Sequence, residues 1–160
     1  MTETEYCARA EALKPRLYRT ALLYLGGESA AVDAVDEAVY KGLLSHGRLR
    51  QEEFFSTWMG RILINVCTDE LRRRKRELAV EALPETAAEE FDALPLKEAI
   101  QRLPAELRQV VVLRYFTGLT LAQTARALGI PQGTAASRQR RALALLKLEL
   151  TEEETYEPNG

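Results

Sequence analysis

Apolar positions along this chain recur at spacings of three and four residues over long stretches, and that period predicts helices. A first helix is expected from about Glu5 to Leu25. It should stop at Gly26-Gly27, because glycine tolerates the left-handed backbone that closes a helix C-terminus. Pro15 lies inside it, as a kink or as a boundary, since proline removes a backbone donor and crowds the preceding turn. Ser29 is placed to cap a second helix running to about His46, with Val32, Val35, Val39 and Leu43 as its apolar set. Residues 47–55 break the period, and a third helix follows from about Ser56 to Arg76. On a 100° wheel Met59, Ile62, Leu63, Val66 and Cys67 share one arc, expected in the core. Trp58, Arg61, Asn65, Arg72 and Arg76 share another, a cationic stripe that begins with an aromatic and runs into Arg-Arg-Arg-Lys-Arg at 72–76.

Residues 77–94 lack Lys and Arg, contain Pro84 and read as an acidic linker between two helical units. Beyond Pro95, short helices are expected over Leu96 to Arg102 and, after Pro104, over Ala105 to Phe116, ending at Gly118. Thr120 should cap a helix from Leu121 to Leu128. Gly129 then permits a sharp turn, Ile130 is an apolar plug, and Pro131 opens the next helix. Helix, short glycine-containing turn, helix is the outline of a helix-turn-helix. The second of these helices offers Gln132, Thr134, Ser137, Arg138, Arg140 and Arg141. Gly133, Ala135 and Ala136 are expected to permit close approach, and Leu143, Leu146 and Leu148 to extend the packing.

Composition agrees with an all-α chain: Gly (9) and Pro (6) are sparse among 160 residues. The formal net charge of −2 argues against a general polyanion binder, but it averages over a segregated chain. Residues 1–76 carry +2, 77–94 carry −6, 95–150 carry +6 and 151–160 carry −4, an acidic tail. Cys7 and Cys67 have neither CxxC nor Cys/His spacing and are read as two buried hydrophobes, with no metal site and no disulfide. The N-terminus is polar and acidic and no apolar run reaches the roughly 18–20 residues a membrane span needs, so a cytoplasmic protein without membrane insertion is expected. An enzyme is disfavoured. His46 stands alone, there is no glycine-rich phosphate loop and the acidic residues lack metal-ligand spacing, so no cofactor and no small-molecule substrate are expected.

Two modes of nucleic-acid contact are thus written in one chain. A helix-turn-helix places its second helix in the major groove, where early residues reach base edges and arginines hold phosphates. The stripe of the third helix suits an unpaired strand instead, with an aromatic to stack on a base, arginines along the backbone and Asn65 to meet a base edge.

In this order the motifs resemble a bacterial RNA polymerase sigma factor of the extracytoplasmic-function group of the sigma-70 family. AAVDAVDEAVYKGLL (30–44) resembles that family's polymerase-binding helix, TWMGRILINVCTDELRRRKR (57–76) its −10 and melting region, and LPAELRQVVVLRYFTGLTLAQTARALGIPQGTAASRQRRAL (103–143) its −35-reading domain. The resemblance implies region 2 over 1–76, the linker over 77–94 and region 4 over 95–150. It implies that Asp33, Asp36, Glu37 and Tyr40 dock to the coiled coil of the polymerase largest subunit, with the flap as a further polymerase contact. It also implies that Trp58, Arg61 and Asn65 meet the non-template strand of the −10 element, that Arg72, Arg73 and Arg76 contact nearby backbone, and that Arg48 to Phe55 form the loop that captures a flipped base. Thr134, Ser137, Arg138, Arg140 and Arg141 fall at its −35-contacting positions. Two local departures stand out: Gln123-Thr124-Ala125 where the family usually has Glu-Ile-Ala, and Ala135-Ala136 where Val-Lys commonly follows Gly-Thr.

A rival reading, a repressor or activator with its own dimerisation or ligand domain, explains residues 103–148 but leaves the order of Trp58, Arg61, Asn65 and the basic run without a purpose. With two nucleic-acid surfaces, a docking surface and no sensor-sized unit, the chain is expected to be controlled in trans by an anti-sigma factor.

Overall fold

A computed structural model describes the backbone of residues 1–78 and 94–155, with side chains up to 77 and from 95 to 148. The linker expected at 77–94 and most of the acidic tail therefore lie outside the described residues. Among those described, every regular element is helical. The order is α1 (Glu3–Leu25), α2 (Glu28–Ser45), α3 (Phe55–Leu78), α4 (Leu94–Arg102), α5 (Ala105–Val111), α6 (Leu121–Leu128) and α7 (Gln132–Thr155). Short 3₁₀ turns occupy His46–Arg48 and Glu52–Phe54, and a π-helical turn continues α5 over Val112–Phe116.

The helix ends follow from their residues. Thr2 caps α1 by accepting from the Glu5 amide while the Glu5 carboxylate accepts from the Thr2 amide, a reciprocal capping box. Pro15 lies within one continuous α1, and Gly26, at φ 87°, closes it with its amide on the Leu22 carbonyl. The start of α2 differs from expectation: the helix begins at Glu28, with Gly27 as N-cap and no side-chain cap, so Ser29 is already inside it. In the second half Thr120 and Gln123 form another capping box at α6, and Gly129, at φ 67°, ends that helix. Gln123 thus performs the back-bond that a glutamate makes in such a box, because its amide oxygen accepts equally well from the Thr120 amide.

α1, α2 and α3 pack on one another, as do α4 to α7, and the two groups share a continuous apolar core. The arc expected to be buried in α3 is buried: Met59, Leu63, Val66 and Cys67 are in the core and Ile62 is half-covered. The apolar set expected for α2 is largely displaced. Only Val35 of that set is buried, Val39 and Leu43 are half-covered, and Val32 is 46% exposed. The inner face of α2 is instead Ala31, Ala34, Val35, Ala38 and Gly42. Small residues bring this helix close to its neighbours, and a pattern of branched side chains alone misplaces the face by roughly one position. Tyr6 fills the resulting contact, its hydroxyl donating to the Val39 carbonyl at 2.6 Å with Met59 Sδ at 3.8 Å. Burial pushes the Tyr6 phenol up to about 12, and the nearby Cys7 raises it further.

The cysteines differ. Cys67 is buried, and burial pushes its thiol up to about 12, whereas Cys7 is exposed on α1, contrary to the expectation for it. In α7, Leu146 is buried but Leu143 and Leu148 are not, at 40% and 62% exposure, because the C-terminal half of that helix runs beyond the partners that cover its beginning.

A methyl group at position 42 would meet the Tyr6 hydroxyl and lie 3.0 Å from Met59 Sδ. Gly42→Ala should therefore destabilise the fold by about 1–3 kcal/mol in denaturant titration, despite the better helix propensity of alanine. In the Gly42→Ala, Tyr6→Phe pair the double change should cost less than the sum of the single ones.

Candidate nucleic-acid and protein interfaces

Three surfaces carry the side chains singled out in the sequence. The first is the outer face of α2. Because small residues line its inside, Asp33, Asp36, Glu37 and Tyr40 are all exposed, Tyr40 at 61%. Glu37 pairs with Lys41 one turn on, at 3.1 Å. Val32 and Leu44 lie exposed on the same helix, which gives it apolar as well as acidic surface.

The second surface is α3 with the segment before it. Arg61, Asn65, Arg72 and Arg76 are exposed, as the wheel predicts. Trp58 is not simply on that stripe. It is half-buried, packed on the core, with its ring 6.3 Å from Tyr6 and 6.0 Å from Phe55. One edge is left outward. Arg73 differs from its neighbours in being held by carboxylates: its guanidinium donates to both Glu70 oxygens at 3.0 and 2.6 Å and to Glu77 at 2.7 Å. These hydrogen bonds, Arg73 first, hold the Glu70 carboxyl below its usual range. Arg74, half-buried, donates to the Leu25 carbonyl at 2.8 Å and so ties α3 to the end of α1, a structural role that a run of like charges conceals. In the segment 48–55, Phe55 is buried and Glu52 accepts from Arg9 at 2.9 Å. An open cavity of about 440 Å³ lies there, lined by Arg9, Leu13, Arg16, Glu53 and Ser56 among others.

The third surface is the beginning of α7. Gln132, Arg140 and Arg141 are exposed, and Thr134, Ser137 and Arg138 are half-exposed. Arg138 lies 3.7 Å from the Glu106 carboxylate. The small residues behave differently from expectation. Ala135 is fully buried and belongs to the packing of α7, while Gly133 faces open space, where a side chain would touch nothing within 4 Å. At Thr124, the family's isoleucine position, a hydroxyl is buried with no hydrogen-bond partner among the described residues. The described residues include no group of three or more His, Cys, Asp or Glu placed to hold a metal ion, and no helix long and apolar enough to cross a membrane.

Sequence reasoning missed the residues that join the two halves. Thr20 of α1 and Thr117 after the π turn share a buried hydroxyl–hydroxyl hydrogen bond. Arg108 of α5 donates to the carbonyls of Tyr24, Gln101 and Leu103, and Gln109 donates to the Tyr24 hydroxyl at 3.0 Å. Burial pulls the Arg108 pKa down, opposed by Tyr24. Arg126 of α6 lies over the Phe54 ring at 4.8 Å. The one available signal was Gly60, a helix-weakening residue in the middle of a helical period, which is buried where α3 faces Leu113 and Leu119.

Two family descriptions match the chain, Sigma-70 region 2 over residues 10–77 and Sigma-70 region 4 over 99–148. The RNA polymerase sigma factor SigV of Bacillus subtilis is 30% identical over 146 residues, covering 88% of each chain. The ECF sigma factor SigM of Mycobacterium tuberculosis is 35% identical over 136 residues, covering 82% of this chain and 69% of its own length. The chain belongs to the sigma-70 family of RNA polymerase sigma factors, in its extracytoplasmic-function group. It therefore acts in promoter-specific transcription initiation. In fold it is similar to the sigma factor RpoE solved with the anti-sigma factor NepR from Bartonella quintana, with a TM-score of 0.80 and 21% identity over 92% of this chain and 97% of that one. CnrH, solved with the cytosolic domain of CnrY, gives a TM-score of 0.72 and 19% identity over 94% and 90%.

Two stability predictions follow from these positions. Thr124→Val should stabilise the protein by about 1 kcal/mol in thermal or chemical denaturation, since it removes a buried hydroxyl without a partner and keeps the shape. Trp58→Ala should destabilise it by about 1–3 kcal/mol through lost ring packing, whereas Asn65→Ala should stay within about 0.5 kcal/mol of the parent protein.

Proposed function

We propose that residues 1–76 act as region 2 and 95–150 as region 4, with three exposed faces dividing the work of initiation. The acidic and aromatic face of α2, Asp33, Asp36, Glu37 and Tyr40, docks to the coiled coil of the polymerase largest subunit, and the flap is a second polymerase contact. The outer edge of Trp58, with Arg61 and Asn65, meets the unpaired non-template strand of the −10 element, and Arg72 and Arg76 follow its backbone. The segment 48–55 beside its cavity receives a base turned out of the stack. Thr134, Ser137, Arg138, Arg140 and Arg141 of α7 read the −35 duplex. The observation that carries this reading is the division of each helix: its apolar side is in the shared core, and the named polar side chains are left outward. Arg73 serves differently from Arg72 and Arg76, because Glu70 and Glu77 already engage it and a phosphate must displace them.

The same reading makes the protein a cytoplasmic initiation factor without catalysis of its own, and the polymerase supplies the chemistry. An anti-sigma factor is its partner in control. RpoE and CnrH, its neighbours in fold, were each solved with such an inhibitor or part of one. The α2 face is a target that would disable initiation.

Reconstituted transcription with core polymerase and promoter DNA from the source genome tests the whole. Promoter-dependent transcripts are expected, and their absence together with no core binding would overturn it. Within that assay, Arg140→Ala and Arg141→Ala should each weaken −35 duplex binding. Loss of a phosphate contact lowers affinity on all sequences and flattens the salt dependence by about one ion, whereas loss of a base contact costs about 1–3 kcal/mol at one position.

A further inference from the structure

The contacts between the two halves of the molecule are specific, and they hold the promoter-reading faces in one compact body. Thr20 and Thr117 meet in the dry interior. Thr20 also reaches the Arg16 carbonyl at 2.8 Å and Thr117 the Val112 carbonyl at 3.3 Å, so whichever hydroxyl donates to the other, both protons have an acceptor. Arg108 spans the ends of α1 and α4, donating to carbonyls at the C-terminus of each, where the helix dipole favours a cation. Gly60 allows the close approach of α3: a Cβ there would lie 3.4 Å from Leu119 and 3.6 Å from Leu113. α6 lies against α3, and its Arg126 covers the Phe54 ring.

This arrangement conflicts with the span of a promoter. Elements centred near −10 and −35 are about 25 base pairs apart, or about 85 Å at 3.4 Å each. A compact chain of 160 residues has a radius of gyration of about 15 Å, and so is roughly 40 Å across. The two reading faces cannot serve both elements while the halves are joined. The covalent chain does not forbid their separation, because the 15 residues between Leu78 and Leu94 can bridge up to about 50 Å.

We propose that the free protein is a closed, self-inhibited state. The Thr20–Thr117 and Arg108–Tyr24 contacts hold it together, and Arg126 occupies the aromatic ring of the base-capturing segment. Engagement of both promoter elements requires that this interface separate. The blockage of segment 48–55 rests on its assignment above, whereas the conflict of span does not. Separation exposes apolar surface around Leu113 and Leu119 and returns the shared hydrogen bonds to water, so opening is opposed until polymerase and DNA contacts replace what is lost.

A reversible lock tests this. Hydrogen-bonded hydroxyls put the two Cβ atoms near the about 3.5–4.5 Å that a disulfide needs. Thr20→Cys with Thr117→Cys, in a Cys7→Ser background, should therefore oxidise readily in the full-length protein. The oxidised form should give at least tenfold less promoter-dependent transcript than the same sample after reduction. Gly60→Trp, which wedges the interface from the α3 side, should enlarge the radius of gyration by small-angle scattering and tighten binding of a −10 non-template oligonucleotide several-fold. Failure of the disulfide to form would show that the closed state is not occupied. Equal transcription by oxidised and reduced protein would show that it does not inhibit. Either result overturns the proposal. Should the reduced double variant be inactive through misfolding, Gly60→Trp decides: an oligonucleotide affinity unchanged from the parent protein sinks the idea. Failure of the sigma-factor reading is separate, since the parent chain would then give no transcript at all.

Discussion

Tyr6 reaches between α2 and α3 to place its hydroxyl on the Val39 carbonyl, and it can do so only because position 42 has no side chain. That close approach sets the distance of α2 from the rest of the molecule. With alanines and a glycine inside, the larger residues of the helix, including Tyr40, Val32 and its carboxylates, are displaced to the outside. The same ring meets Phe55 and Trp58, and so sets where α3 begins and which edge of the tryptophan remains available. One aromatic residue near the N-terminus thus links the α2 face to the α3 face, although it touches neither DNA nor polymerase in the proposed function.

Much of the helical plan was legible because its signals are local. The capping box at Thr120, the left-handed glycines at 26 and 129 and the apolar arc of α3 each depend on a few neighbouring residues, and each is found as read. The errors share a physical origin. Val32, Leu143 and Leu148 were assigned to packing by residue type, but burial depends on what another helix covers, and that is not local information. Ala135 was read as an opening for DNA and is a core residue for the same reason. Ser29 lost its capping role to Gly27, whose extended backbone already begins the helix without a side-chain acceptor.

The arginines show the same limit at the level of the surfaces. A basic run resembles a uniform electrostatic stripe, but Arg73 is engaged by two glutamates and Arg74 by the end of another helix, while Arg72 and Arg76 face outward. Arg108, which the charge pattern counts with the rest, is directed at three carbonyls in the interior. Spacing reveals which cations share a helical face, but the partner that has already engaged each of them comes from the fold.

The π turn over Val112–Phe116 bears on the chain in another way. Its carbonyl–amide bonds close over five residues, with the Thr117 amide on the Val112 carbonyl at 3.0 Å, so it holds one more residue than an α-helical turn of the same height. Removing a single residue there would let α5 continue in ordinary register and rotate everything beyond it by about 100°. Thr117 and Leu119 would then turn away from α1 and α3, and the helix-turn-helix would travel with them. Insertions and deletions of one residue, harmless in a surface loop, would here redirect half the molecule, so the number of residues between Val112 and Gly118 is itself a determinant of its architecture.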